Sequence, residues 1–292
     1  MKFNTLYKEH AESIFENEKT GVPASRKHMQ EVLSRLDEFS SFEGYGDRDI
    51  EDFKPLDIKA WINSLKVPGP KRKRGLAVSS QNRYVAAVSR VFSYAIQYEL
   101  MTKASPVLSS MWKEESNTRQ LYYDEVTRDR LIAFFRASDC PWIADMAVIS
   151  VNSGMRLGEI LMLDRGEAKV LTDSSGKRYI WLPKTKNGDS RVVWLNPKTE
   201  AAVDALAAIP GYWKQHKFYE LWDEARHKIY NHKDCCFHLF RHTAATIMAN
   251  DLNINTTLIG KMLGHRSEGT TKKYIHETPA KAQAVAAMMN VG

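Results

Sequence analysis

The sequence predicts a mainly helical α+β protein in two parts, and three observations carry that prediction. Apolar residues recur at helical spacing through the first hundred positions. Further on, the β-branched and aromatic runs "KVL", "RYIWLP" and "RVVWLN" are separated by "TDSSGK" and "KTKNGDS", whose Ser-Gly and Asn-Gly pairs are hairpin turn signals. Charge is segregated as well: residues 1 to 57 hold 8 Lys/Arg against 13 Asp/Glu, whereas residues 58 to 118 hold 10 against 3.

Composition bounds the function. A chain of 292 residues with 43% hydrophobic content is long enough for two domains with real cores. No uninterrupted apolar run approaches the ~20 residues that a bilayer requires, so a membrane span is excluded. The opening "MKFNTLYKEHAESIFENE" interrupts its apolar positions with charges and lacks the apolar middle of a signal peptide, so it reads as a first helix. Cys140, Cys235 and Cys236 are odd in number and two are adjacent, which suits a reducing cytosol better than a disulfide scaffold. A net charge of +7 is compatible with a nucleic-acid partner.

Helices are expected at 3–18, 24–41 and 55–65. Next comes "VPGPKRKRG", where Lys71, Arg72, Lys73 and Arg74 stand between the helix breakers Pro68, Pro70 and Gly75, an exposed basic loop. The helix after it, "SSQNRYVAAVSRVFSYAIQYEL", has a serine cap near Ser79 and a core stripe of Tyr84, Val88, Val91, Ala95 and Tyr98. Arg83 and Arg90 project from its flanks and, with the basic loop, could follow a phosphate backbone. Residues 1–106 form the helical domain, and the aperiodic, Ser-rich stretch at 107–118 reads as an exposed linker.

The second part, residues 119–292, opens helically through "YDEVTRDRLIAFFRA" and "WIADMAVISV". At "NSGMRLGEILMLD" Gly154 closes one helix, and Leu157, Ile160, Leu161 and Leu163 bury the next. Arg156 and Glu159 lie three residues apart at that junction, close enough for the carboxylate to hold the guanidinium. Lys184 and Lys186 sit on the second hairpin, beside Asn187 and Gly188. In "CCFHLFRHTAATIMAN", His238 and Arg241 share a helical face while Leu239, Phe240, Ile247 and Met248 pack it. His232, Cys235, Cys236 and His238 are zinc-type ligands, but their spacing does not match the usual paired pattern, and no metal site is assigned. "NTTLIGKMLGH" is a short helix capped by Asn255 or Thr256 and closed by Gly264, which delivers His265. Tyr274 follows in "TTKKYIHE". Each of these residues has an ordinary structural reading on its own: a surface ion pair, a solvated lysine, a packed tyrosine.

In combination, "SGMRLGE", "TKNGDSR", "HLFRHT", "LGH" and "TTKKYIH" occur in the order and spacing of a known family, and over residues 119–292 the chain resembles the tyrosine recombinases, the phage integrase family. The first hundred residues resemble that family's core-type DNA-binding domain less specifically. The resemblance implies two domains forming a clamp around duplex DNA, action as a homotetramer on two sites, accessory directionality or DNA-bending proteins, and no cofactor. It implies Tyr274 as nucleophile, Arg156 and Arg241 on the scissile phosphate, Lys186 as general acid with Lys184 as fallback, His238 and His265 on the phosphate and the tyrosine proton, and Glu159 supporting Arg156. Leu239 and Phe240 stand where an acidic residue and leucine are frequent in the family, so a supporting carboxylate is missing there.

The chemistry explains these residue types. Attack on a phosphodiester concentrates charge on its nonbridging oxygens, which planar guanidinium groups meet bidentately. A desolvated lysine among arginines can donate to the leaving 5′ oxygen. An aryl phosphate ester stores bond energy for rejoining, so no phosphate-binding G-x-x-x-x-G-K-[ST] loop is needed. The implied role is site-specific integration or excision by a phage or mobile-element enzyme acting in the cytoplasm of its host. Two alternatives share the scaffold: a type IB topoisomerase-like enzyme, and a non-catalytic DNA-binding regulator.

Overall fold

The computed structural model describes residues 1–16, 24–69, 73–115, 121–183, 190–230, 232, 235–252 and 254–264. The chain divides into two compact units, Met1–Thr118 and Arg119–Gly292. Both are mainly helical, and the second carries one small antiparallel sheet. No described helix is long and apolar enough to cross a membrane.

The first unit contains α1 (Phe3–Glu9), α2 (Ala11–Phe15), α3 (Arg26–Ser41), α4 (Pro55–Ser64) and α5 (Val78–Gln97). Ser25 Oγ accepts the His28 amide to start α3, and Val32, Leu36 and Phe39 recur along its buried face. Proline opens α4, where its missing N–H costs nothing, and Asp57 accepts the Lys54 amide. The core is aromatic. Phe39 lies 4.7 Å from Phe3 and meets Trp61 edge-on at 4.8 Å, with Phe53 and Phe92 closing the cluster. Each such ring contributes roughly 1.5–3 kcal/mol by burial.

Three expectations are corrected here. The helix expected at 3–18 breaks at His10, whose φ of −115° and ψ of 17° end α1; the break turns Leu6 and Tyr7 on one side, and Ile14 and Phe15 on the other, into the same core. Helix α5 begins after Ala77 without a side-chain cap, so Ser79 lies inside its first turn, and Tyr98 is exposed beyond its end while Val88, Val91 and Ala95 are buried. The stretch expected as an exposed linker is tied to α5 as far as residue 115: Asn82 donates to Lys113 O and Glu115 Oε1, each at 2.9 Å, and Lys113 Nζ donates to Gln81 Oε1. Local aperiodicity concealed this because the anchoring groups are on another helix.

In the second unit α6 (Glu125–Arg136) starts on Asp124, whose carboxylate accepts the Thr127 amide. Helix α7 (Trp142–Ser153) is apolar around most of its circumference, as a central helix must be. It packs against α6, α9 (Pro197–Ala207) and α11 (His238–Thr246). Its one buried carboxylate, Asp145, pairs with Arg136 at 2.7 Å. After α8 (Leu157–Asp164) come β1 (Lys169–Thr172), β2 (Arg178–Leu182) and β3 (Arg191–Trp194), paired in that order. Val170, Ile180 and Val193 are in register across the sheet, and Arg191 and Val193 are the buried positions of β3. Helix α10 (Gln215–Ala225) stacks Trp222 on Phe135 at 5.0 Å. Helix α12 (Thr256–Leu263) starts on Asn255, which accepts the Leu258 amide, and packs Ile259 and Leu263 against Ala244, Ala245, Met248 and Ala249. That small separate core fixes where α12 ends, and its end reaches the arginines.

Candidate active site

The site is built at the junction "SGMRLGE". Helix α7 ends at Ser153, and Gly154 turns the chain with φ of 69°. Arg156 then caps α8: its amide donates to Glu159 Oε2 at 2.9 Å and its Nη1 donates to Glu159 Oε1 at 2.7 Å. One carboxylate thus serves a helix-end amide and a guanidinium together. Glu159 is 3% exposed, so this pair differs from a surface ion pair.

Two more arginines converge on the same carboxylate. Arg241, on α11, is 1% exposed and its Nη1 stands 4.0 Å from Glu159 Oε2. Arg191, at the start of β3, donates from Nη2 to Glu159 Oε2 at 2.7 Å. The end of α12 receives all three cations in succession: Arg191 Nη1 donates to Met262 O at 2.6 Å, Arg241 Nη2 to Leu263 O at 2.6 Å, and Arg156 Nη2 reaches Gly264 O at 3.5 Å. Arg241 also donates to Gly154 O at 2.6 Å. Carbonyls at a helix carboxyl end lack intrahelical partners and carry partial negative charge, so guanidinium groups complement them. Among the described residues, three guanidinium groups face one carboxylate. The surplus positive charge is what an incoming phosphate would neutralise.

Gly154 must be glycine. Its positive φ strains any side chain, and a Cβ there would strike Leu263 Cδ2, pushing on the end of α12. Gly154→Ala is expected to lose at least about 1–2 kcal/mol of stability. Gly158→Ala, in open helical space, serves as the control and is expected to be neutral or slightly stabilising. Urea unfolding of both variants checks this, and equal midpoints would contradict it.

His238, the first residue of α11, is exposed, and its ring lies 4.8 Å from the His242 ring, edge to face. Burial first, and the Arg241 charge second, hold His242 below the ordinary value of 6.5, favouring its neutral form. Cys235 Sγ lies 3.3 Å from Tyr123 Oη, which donates to Cys236 O. Among the described residues no group of three or more His, Cys, Asp or Glu side chains is arranged to hold a metal.

Lys184, Lys186, His265 and Tyr274 lie outside the described residues, as do Lys71 and Arg72. Lys73 and Arg74 are exposed in the first unit. Arg83 lines a groove between α3 and α5 together with Arg35 and Arg90. Arg90 is partly engaged within the fold, donating to Glu16 O at 2.7 Å and lying over the Phe15 ring. Sequence reasoning did not single out Arg191 or His242. For His242 the signal is its spacing, one helical turn beyond His238. For Arg191 the sequence holds no deciding signal, because Val192, Val193 and Trp194 are apolar on both faces of the strand.

Comparison with known proteins decides the family. The model of the phage integrase family matches residues 120–281. The chain belongs to the phage integrase family. This phage integrase-family chain is 25% identical over 234 residues to the tyrosine recombinase XerA of Saccharolobus solfataricus, covering 75% of this chain and 73% of that protein. It is 24% identical over 223 residues to the transposase from transposon Tn916 of Enterococcus faecalis, covering 71% of this chain and 49% of the relative, so the match spans about half of that transposase. Its fold is that of the Tn1549 transposon integrase solved in complex with a circular intermediate DNA, with a TM-score of 0.72, 17% identity, and coverage of 99% of this chain and 100% of that one.

Proposed function

We propose that this phage integrase-family protein is a site-specific DNA recombinase that breaks and rejoins strands through a 3′-phosphotyrosine, serving integration and excision of a phage or mobile element. The observation that carries the reading is the convergence of Arg156 and Arg241, distant in sequence, on buried Glu159. Tyr274 Oη attacks the scissile phosphorus, the bond to the 5′ oxygen breaks, and Lys186 supplies the proton that oxygen needs, with Lys184 as the fallback donor. Arg156 and Arg241 meet the nonbridging oxygens, Glu159 orients Arg156, and His238 and His265 bind the phosphate and manage the phenol proton. A 5′ hydroxyl from another strand reverses the step, so no external energy source is required.

The partner is duplex DNA carrying a recombination site, bound by both units as a homotetramer in the synaptic complex, with accessory directionality or bending proteins, in the host cytoplasm. Support for the DNA partner comes from the Tn1549 integrase, solved on circular intermediate DNA. Lys71 to Arg74, Arg83 and Arg90 are its candidate phosphate contacts in the first unit, Arg90 only if it releases Glu16 O. No cofactor enters the mechanism. The test is a nicked suicide substrate incubated with the protein in excess EDTA. A detergent-resistant adduct on the 3′ side of the break is the expected product. Failure to form it, with recovery on adding magnesium or zinc, would overturn the metal-free reading.

A further inference from the structure

Arg191 is a buried cation with no part in the mechanism above. It is 8% exposed, and its charge is expensive to bury unless its partners compensate. Its fork spans two elements distant in sequence: Nη2 on Glu159 Oε2 of α8 and Nη1 on Met262 O near the end of α12. Its Nε is buried without a hydrogen-bond partner, so the side chain is not placed to satisfy all its own donors. Gly264 leaves room for the arginine stem, since a Cβ there would come within 3.1 Å of Arg191 Cδ. The same strand already buries Val193, so an apolar residue at position 191 would serve a merely structural purpose at lower cost.

We propose that Arg191 is a positioning residue for strand cleavage: it locks the Glu159 carboxylate to the carboxyl end of α12, and thereby sets Arg156 against the scissile phosphate. Glu159 carries Arg156 on one oxygen and shares the other between the Arg156 amide and Arg191. Without Arg191 that second oxygen keeps the amide and only the longer, 4.0 Å approach of Arg241, and the carboxylate can rotate, taking the Arg156 guanidinium with it. In sequence Arg191 follows Lys186 by five residues, and its partner Met262 precedes His265 by three. It is therefore the one described side chain that bonds β3, α8 and α12 to one another. Burial lowers its pKa from the ordinary guanidinium value and Glu159 opposes that shift, consistent with a cation retained for its partners.

This inference rests on the recombinase reading, and the experiment separates the two. Adduct formation on the nicked suicide substrate is measured at saturating DNA for wild type, Arg191→Met, Arg191→Lys, Glu159→Gln and the Arg191→Met/Glu159→Gln double variant, below the unfolding midpoint of the least stable protein. DNA affinity is measured in parallel. Arg191→Met is expected to slow cleavage about tenfold to a hundredfold with affinity unchanged, as a misplaced clamp does. The double variant is expected to be no slower than the slower single variant, because both substitutions break one linkage. Arg191→Lys is expected to fall between wild type and Arg191→Met, since an ammonium lacks the fork that holds two partners at once. A wild type that forms no adduct would refute the recombinase reading itself. With an active wild type, an unimpaired Arg191→Met or multiplying losses in the double variant would overturn the role of Arg191. If Arg191→Met does not fold, Arg191→Lys carries the test, and a wild-type rate for it would overturn the role as well.

Discussion

Tyr274→Phe is expected to bind DNA as wild type does and to form no covalent complex. The substitution removes one oxygen and leaves the ring, so packing is conserved while the attacking atom is gone. Its effect should be the largest of any single substitution, because the attacking atom itself is lost and two other tyrosines of the second unit offer poor substitutes. Tyr123 and Tyr212 are buried, and burial pushes both phenols far above their ordinary value, Tyr123 also under the influence of Cys235 and Tyr212 under that of Asp164. A phenol that resists ionisation, with its oxygen donating to Cys236 O or Ile160 O, cannot reach a phosphodiester. The check is a denaturing gel of the suicide-substrate reaction beside a gel-shift titration. An adduct with Tyr274→Phe would transfer the nucleophile elsewhere.

The second large effect separates proton donation from charge stabilisation. Lys186→Ala is expected to be severely slow on normal DNA and substantially restored on a 5′-bridging phosphorothiolate, whose thiolate leaves without an acid. Arg156→Ala and Arg241→Ala should be slow on both substrates, because neither clamp is replaced by a better leaving group. Lys184→Ala should be mild on either. Arg241→Ala should also lose stability, by roughly 1–3 kcal/mol for each buried carbonyl acceptor left unpaired, here Gly154 O and Leu263 O. Cleavage rates on the two substrates, taken below the unfolding midpoint of each variant, give the comparison. Rescue of Lys184→Ala instead of Lys186→Ala would reassign the acid, and rescue of Arg241→Ala would remove it from the clamp.

The wiring around Glu159 shows where sequence reasoning succeeds and where it stops. That Arg156 and Glu159 meet follows from three-residue spacing at a helix start, and both termini are legible in Gly154 and Asn255. The β1–β2 hairpin announces itself through Ser175-Gly176. Position 191 does not, because an arginine beside three apolar residues reads as the solvated end of a strand. The anchoring of residues 107–115 on Asn82 and Gln81 was likewise invisible, since its partners are some thirty positions away.

By itself, then, the sequence determined what depends on neighbours a few residues apart: most helical faces, the ends marked by Gly154 and Asn255, the pairing of Arg156 with Glu159, and the order of motifs that marks the family. Only the tertiary structure decided which charges share a desolvated space. The packing of Ile259 and Leu263 on Ala244, Ala245 and Met248 sets where α12 ends, and only there do its last carbonyls meet Arg191, Arg241 and Arg156. Burying a guanidinium is unfavourable until such partners arrive from other elements, so the placement of each depends on the whole packed arrangement and on no local pattern.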